Sequence, residues 1–215
     1  RDPGDWFEEV LAALAAQDYR NLRILVVDTG RRPVDERVAS VLPDARVVTA
    51  HPTATFGAAA NLVLGDHGAP SAGGFHLFLR DDLALAGTGV RRMVEAALEA
   101  NAGIVGPKVL DGQDSTLLDD MGAAVDRLGS PVPRVDPGEA DQGQHDGRLD
   151  VFASSEAAVM VRADLFTALG GFDVSICSPD GHVDLCWRAR LAGASALLVP
   201  TAVGRRLGGP VARRR

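Results

Sequence analysis

A short apolar segment that ends abruptly in charged residues constrains the fold of this chain more than any other feature. The segment runs from Phe75 to Leu79 and is followed directly by Arg80-Asp81-Asp82. Strands that are buried on both faces have nearly continuous apolar runs and belong to parallel sheets flanked by helices. Ligands of open α/β sheets bind outside the carboxyl ends of the strands. We therefore expect the Asp pair to lie where the protein contacts a metal ion or a phosphate-bearing substrate. A solvated strand end followed by a turn is the alternative interpretation.

Helical and strand-like segments alternate along the chain. The predicted helices lie at about 5–17, 37–41, 56–64, 87–101, 163–169 and 183–192, and the predicted strands at 22–27, 45–50, 75–79, 103–109, 150–162 and 195–199. This alternation predicts an α/β fold with a mainly parallel sheet and right-handed crossovers. The length of 215 residues fits one domain over residues 1–215, with halves at 1–110 and 151–215.

Residues 111–150 interrupt this pattern. They are polar and rich in Gly, Pro and Asp, and they favour one short strand near Met121 to Val125. A connection of this length is usually functional or mobile. We therefore predict an excursion loop between the two halves.

Composition excludes several classes of function. The net charge of −7 argues against a nucleic-acid surface, which needs a basic footprint. Cys177 and Cys186 are the only cysteines, which favours a reducing compartment over a disulfide framework. No segment approaches the roughly 20 apolar residues of a membrane span. The arginines of 211–215 suit a solvated tail or the start of a cytoplasmic juxtamembrane segment, with a membrane segment or partner beyond it.

Six short motifs follow one another along the chain. They are Leu25-Val-Val-Asp28, Phe56-Gly-Ala-Ala-Ala-Asn61, Leu79-Arg-Asp-Asp82, Ile104-Val-Gly-Pro-Lys108, Gly170-Gly-Phe-Asp173 and Asp184-Leu-Cys-Trp-Arg-Ala-Arg-Leu-Ala-Gly193. In this order and spacing the chain resembles family 2 glycosyltransferases, which are inverting enzymes of the GT-A fold, and in particular those of actinobacterial envelopes. The resemblance covers essentially the whole chain. It implies a nucleotide-binding half before the excursion and an acceptor half after it.

The resemblance also implies a nucleotide-sugar donor, a glycan or lipid-linked acceptor, and a divalent Mn or Mg ion on the donor diphosphate. Asp28 stands at the nucleoside position, although it equally suits a turn cap, and Asn61 matches a helix asparagine of the family. Asp81 and Asp82 remain from the acidic triplet that holds the metal. Asp82 is the expected metal ligand because hard cations prefer carboxylate oxygens.

Two departures from the family pattern concern the donor diphosphate. Arg80 replaces the first acidic residue of the triplet, and Arg206 stands where a histidine often follows the last strand. Arginine binds phosphate bidentately and carries a permanent charge. One interpretation is therefore a metal-independent donor site, and the other is a site that has lost activity.

The family uses an acidic base near the start of the last long helix to deprotonate the acceptor hydroxyl. This region contains Asp180, His182 and Asp184. Histidine is a side chain that can act as a general base at neutral pH, so His182 is one candidate, whereas the plainer interpretation is an exposed loop histidine. Asp180 is a second candidate, and Asp184 keeps its family position but also suits the first turn of a helix on its own.

The expected function is thus an inverting glycosyltransferase at the cytoplasmic, inner face of the plasma membrane. The alternative is a non-catalytic GT-A-like domain that binds a glycan, a nucleotide or a protein partner. In the family pattern the first strand of the fold precedes Arg1, so we expect it to be missing from this chain.

Overall fold

The computed structural model describes residues 2–65, 73–147, 150–176 and 181–208. Its helices are α1 (Phe7–Ala15), α2 (Asp35–Val41), α3 (Phe56–Ala60), α4 (Gly89–Glu99), α5 (Ala163–Ala168) and α6 (Gly181–Leu191), with a 3₁₀ turn at Asn61–Leu64. Its strands are β1 (Leu25–Asp28), β2 (Arg46–Thr49), β3 (Phe75–Leu79), β4 (Leu83–Leu85), β5 (Ile104–Asp111), β6 (Leu118–Asp120), β7 (Ala123–Val125), β8 (Pro131–Pro133), β9 (Ala158–Arg162) and β10 (Ala196–Arg206). Cys177, Asp180 and the arginines of 211–215 lie outside the described residues.

The predicted α/β class is confirmed, but strand pairing in the main sheet is mixed rather than mainly parallel. The six-stranded sheet has the order β3-β9-β5-β10-β4, with β6 beside β5, and only β5 and β10 pair in parallel within it. Strands β1 and β2 form a separate parallel pair. Short connections explain two of the reversed strands, β4 and β6, because each follows the preceding strand too closely for the crossover that parallel pairing needs.

The central strands of the main sheet are buried on both faces. Strand β3, for which the apolar run predicted the same, instead lies at the end of the sheet, pairs antiparallel with β9 and is only partly buried apart from Phe78. Neighbouring residues of β5 point to opposite sides, since Ile104 belongs to one core cluster and Val105 to the other. Phe166 of α5 is fully buried in the first cluster, with its ring centroid 4.8 Å from that of Phe78 and 5.5 Å from that of Phe172. Helix α4 covers the other face through Met93, which is also fully buried. The sheet is therefore held rigidly between two apolar layers.

Strand β10 is longer than the sequence predicts. We expected it to end before Pro200, but it continues to Arg206 and pairs with both β5 and β4. Its register against β5 shifts between Val199 and Val203, and Pro200 lies inside this irregularity. Proline has no backbone N–H to donate, so a bulge is where a long strand accommodates it. The extension carries Arg206 to the edge of the sheet.

The excursion is more ordered than the single predicted strand. It contains β6, β7 and β8, and its apolar side chains form a small core with strand β10; the buried members are Leu118, Met121, Val135, Val151 and Leu198. Lys108 of β5 is buried, and its Nζ lies 3.0 Å from Asp141 and 2.7 Å from Asp146. Burial lowers the pKa of Lys108, but the bonds to Asp146 and Asp141 outweigh it and leave this pKa raised.

Glu139 makes the excursion sensitive to acid. Its carboxylate accepts hydrogen bonds from the Asp136 N–H and the Gln144 amide and contacts His145, and these bonds lower its pKa to about 2. Because this pKa is lower in the folded state, the stabilisation is complete above about pH 4.5 and is lost as the pH falls toward about 2. In an NMR titration of the folded protein we expect the Asp136 and Gln144 amide resonances to shift around pH 2, where Glu139 takes up its proton. The Glu139→Gln variant should not show this step, and an identical titration in both proteins would contradict the assignment.

Candidate functional site

Charged side chains from four segments meet at one edge of the main sheet. Strands β3 and β10 end at this edge with Leu79 and Arg206, whereas β9 begins near it just after Glu156. The Arg80 N–H donates to the Ala157 carbonyl at 3.0 Å, which fixes the end of β3 against the start of β9. Asp119 of β6 reaches the same place through an ion pair with Arg206. The topology therefore places a charged cluster at the carboxyl ends of β3 and β10, which is the side of an α/β sheet where ligands bind.

Arg80 is tied to the carboxylates around it. Its Nε lies 3.3 Å from the Asp82 Oδ1, and its terminal nitrogen lies 3.8 Å from the Glu156 Oε1. Asp82 is buried, and its backbone carbonyl accepts from the Leu207 N–H at 2.7 Å. Asp81, the middle residue of the Arg80-Asp81-Asp82 triplet, is partly buried, and burial raises the pKa of its carboxyl group.

Arg206 lies deeper in the same cluster. Its side chain is only 5% exposed, and its Nε donates to the Asp119 Oδ2 at 2.6 Å. Its terminal nitrogen lies 3.5 Å from the Glu156 Oε1, the same oxygen that faces Arg80. Burial lowers the pKa of Arg206, but Asp119, Asp120 and Asp82 outweigh burial and raise it. Arg206 is therefore a permanent buried cation at this edge.

A small cavity opens beside Arg80. Its volume is about 20 Å³, and its lining comes from α3, the end of β3, the start of β9, the 172–176 turn and the start of α6; the lining residues are Phe56, Gly57, Arg80, Glu156, Phe172, Asp173, Ile176, Gly181 and His182. Arg80 and His182, which the sequence analysis assigned to donor binding and to the base, both line this cavity. Its present volume holds about one water molecule, so a nucleotide sugar requires side chains to move.

The residues present do not form a preformed metal site. Among the described residues there is no group of three His, Cys, Asp or Glu side chains placed to hold a metal ion. Asp82, the expected ligand, already accepts from Arg80, whose guanidinium would repel a divalent cation. Arg80 therefore competes with a metal ion for the Asp82 carboxylate.

Asn61 braces the site rather than lining it. Its amide group donates to the Phe172 carbonyl and accepts from the Phe172 N–H, both at 2.8 Å. Gly171 precedes this clamp with φ +79°, and any side chain there would overlap the Asn61 amide oxygen. The asparagine that the sequence assigns to cofactor binding thus fixes the turn that carries Phe172 and Asp173.

Replacing Asn61 by alanine should therefore destabilise the domain by about 1–3 kcal/mol, because both polar backbone groups of Phe172 lose their partner. Urea denaturation measures this change in the free energy of unfolding. Ser40→Ala, which removes an exposed hydroxyl that bonds only its own helix, should change stability by less than about 0.5 kcal/mol. Equal midpoints for Asn61→Ala and the wild type would show that the clamp carries no stability.

The remaining predicted residues occupy different places. Asp28 is buried at the end of β1, where its Oδ1 accepts from the Gly30 N–H at 2.7 Å, as a turn-capping aspartate does. Asp184 forms an ion pair with Arg188 one turn along α6 and is not among the cavity-lining residues. Asp180 lies outside the described residues. Among the base candidates, the structure brings only His182 to the cavity within the described part of the chain.

Sequence reasoning missed Glu156 and Asp119. Asp119 belongs to the excursion and Glu156 to the segment before β9, so their meeting at Arg206 depends on long-range pairing. A local signal exists for Glu156, because Ser154-Ser155-Glu156 is a polar interruption directly before the apolar run of β9. Such an interruption at the sheet edge that already holds Arg80 marks a candidate site residue.

No helix among the described residues has the length and apolar character that crossing a membrane requires.

Comparison with solved structures confirms the fold. No protein-family model matches the chain, and no curated protein matches it. The chain is similar in structure to GalNAc-T7, a GT-A glycosyltransferase whose crystal structure contains UDP, GalNAc and Mn²⁺, with a TM-score of 0.68 and 12% sequence identity. The match covers 94% of this chain and 41% of the GalNAc-T7 chain, so this chain spans less than half the length of that protein. The domain thus has a GT-A-like fold.

Proposed function

We propose that this chain is the catalytic part of an inverting glycosyltransferase that transfers a sugar from a nucleotide-sugar donor to a hydroxyl group of a glycan or lipid-linked acceptor. One observation carries the proposal. Arg80, Glu156 and His182 are far apart in the sequence but line one cavity at the ligand-binding edge of a GT-A-like sheet. The family 2 resemblance of the motifs supports an envelope role at the inner face of the plasma membrane.

The role of the two arginines in this proposal is to bind the donor diphosphate. When the bond between the anomeric carbon and the phosphate oxygen breaks, negative charge develops on the leaving diphosphate. Terminal nitrogens of Arg80 and Arg206 lie 3.8 Å and 3.5 Å from the Glu156 Oε1, so an anion at that position can contact both guanidinium groups. Guanidinium groups bind phosphate oxygens through paired hydrogen bonds. These two residues are therefore the proposed donor-binding cations.

His182 is the proposed base. It lies at the start of α6 and lines the same cavity as Arg80. The acceptor oxygen attacks the anomeric carbon as its proton passes to an imidazole nitrogen, and the electron pair of the broken bond leaves with the diphosphate. Attack from the side opposite the leaving group inverts the anomeric configuration. Asp180 and Asp184 are the alternative candidates for the base.

A non-catalytic ligand-binding domain is the second candidate. It is favoured by the cavity volume of about 20 Å³ and by the carboxylates that already neutralise both arginines. In this case nucleotides or glycans bind without bond cleavage. Turnover therefore separates the two candidates, whereas binding alone does not.

Two assays test the proposal. Calorimetric titration with UDP, GDP and dTDP, with Mn²⁺ or with EDTA, measures donor-site binding, and UDP is the first choice because GalNAc-T7 was crystallised with it. Hydrolysis of the matching nucleotide sugar measures turnover, and the anomeric configuration of a transferred product measures inversion. We expect His182→Gln to keep nucleotide affinity and to lose turnover by about 100-fold or more. No nucleotide binding under any condition would overturn the enzyme proposal.

A further inference from the structure

Glu156 occupies a point between the two donor-site arginines. Its Oε1 lies 3.8 Å from a terminal nitrogen of Arg80 and 3.5 Å from a terminal nitrogen of Arg206. One carboxylate oxygen thus faces two guanidinium groups, which is the arrangement that a bridging phosphate oxygen adopts with two arginines. The carboxylate is 17% exposed, so it lies where the cavity meets the buried cluster.

The backbone around Glu156 is fixed on both sides. The preceding residue, Ser155, donates its hydroxyl to the Asp120 Oδ2 at 2.8 Å and accepts from the Ala157 N–H at 3.1 Å. The following residue, Ala157, accepts from the Arg80 N–H at 3.0 Å. The Glu156 side chain therefore enters the site from an anchored position, and only rotation of that side chain moves the carboxylate away from the arginines.

The cluster carries more negative than positive charge. Among the described residues, its carboxylates belong to Asp81, Asp82, Asp119, Asp120 and Glu156, and its arginines are Arg80 and Arg206. An added phosphate would be repelled by this excess unless it replaced one of the carboxylates. Glu156 is the one that bridges both cations and also borders the cavity, so it is the carboxylate that an entering anion meets.

We propose that Glu156 is a built-in competitor of the donor diphosphate, which must displace its carboxylate from Arg80 and Arg206 in order to bind. This inference rests on the proposed function, since it assigns the diphosphate to the same two arginines. Displacement of a bridging carboxylate favours ligands that contact both guanidinium groups at once. Glu156 therefore lowers the affinity of the site for anions that bind through both arginines. Its rotation also enlarges the cavity on the side where the donor enters.

Titration with inorganic pyrophosphate in the presence of EDTA tests the inference. Glu156→Gln keeps the side-chain shape and removes the charge, so we expect its pyrophosphate affinity to rise roughly tenfold or more, the size of one charge-assisted hydrogen bond that no longer has to be broken. The gain for orthophosphate should be smaller. Glu36→Gln, an exposed change of equal charge on α2, is the matched control for net charge. Glu156→Ala provides a second variant with the same expected direction.

The outcomes separate the two proposals. Equal affinities for Glu156→Gln and Glu36→Gln would overturn the competitor role while leaving the donor site in place. Weaker binding by Glu156→Gln would show that Glu156 helps to hold the anion, which also overturns it. If neither the wild type nor the variants bind pyrophosphate or any nucleotide, the proposed function fails and this inference fails with it.

Discussion

Replacement of Arg206 by methionine is expected to destabilise the domain by about 3 kcal/mol and to abolish pyrophosphate binding. Removing one member of a buried ion pair leaves its partners as uncompensated charges, which typically costs 3–5 kcal/mol. The partners Asp119 and Glu156 are each 17% exposed, so they keep some hydration and the lower end of this range applies. Methionine preserves most of the side-chain volume, and the effect therefore reports on charge rather than on a cavity. Urea denaturation at neutral pH gives the change in unfolding free energy.

The neighbouring arginine provides the control. Arg205 points to the opposite face of β10, is 44% exposed and pairs with Glu9 of α1. Exposed ion pairs contribute about 1 kcal/mol or less, so Arg205→Met should change stability by no more than that and should leave anion binding intact. Similar losses in the two variants would contradict the account of Arg206 as the buried cation of the site.

Replacement of Phe166 by alanine is expected to destabilise the domain by about 3–5 kcal/mol. Phe166 is fully buried, and its ring packs against those of Phe78 and Phe172, which join β3 to the turn beside the cavity. Its removal leaves a void in the layer that supports the end of β3. Thermal or urea denaturation measures the loss. Leu98→Ala, at a position that is 65% exposed on α4, should cost less than about 1 kcal/mol, and a comparable cost at both sites would argue against this packing.

The core and the order of elements could be predicted from local patterns. The strand at Phe75–Leu79 and the helices α4 and α6 lie where the apolar patterns predicted them, and the apolar side chains of α4 and α6 are the ones that the core buries. The charged end of β3 lies at a cavity that Arg80 lines, and its role in ligand binding stays a prediction. These inferences needed no knowledge of which strands pair.

Features that depend on distant pairing could not be predicted. The polar composition of the excursion hides the strand that contributes Asp119 and the turns that contribute Asp141 and Asp146, the acidic partners of Lys108. Asn61 was assigned to the cofactor, but its amide is consumed by the backbone of Phe172, 111 residues further along the chain. Pro200 suggested a strand end, whereas a bulge lets β10 continue and carry Arg206 to the site. In each case the local sequence is compatible with several roles for the residue, and a contact with a distant part of the chain determines which role it has.

A crystal structure with the nucleoside diphosphate that binds most tightly tests the central claim most directly. The account predicts that the two phosphate groups lie within hydrogen-bond distance, about 3 Å, of the guanidinium groups of Arg80 and Arg206. It also predicts that the Glu156 carboxylate has rotated away from both. A diphosphate bound elsewhere on the domain, or one bound here while Glu156 still bridges the two arginines, would contradict the account.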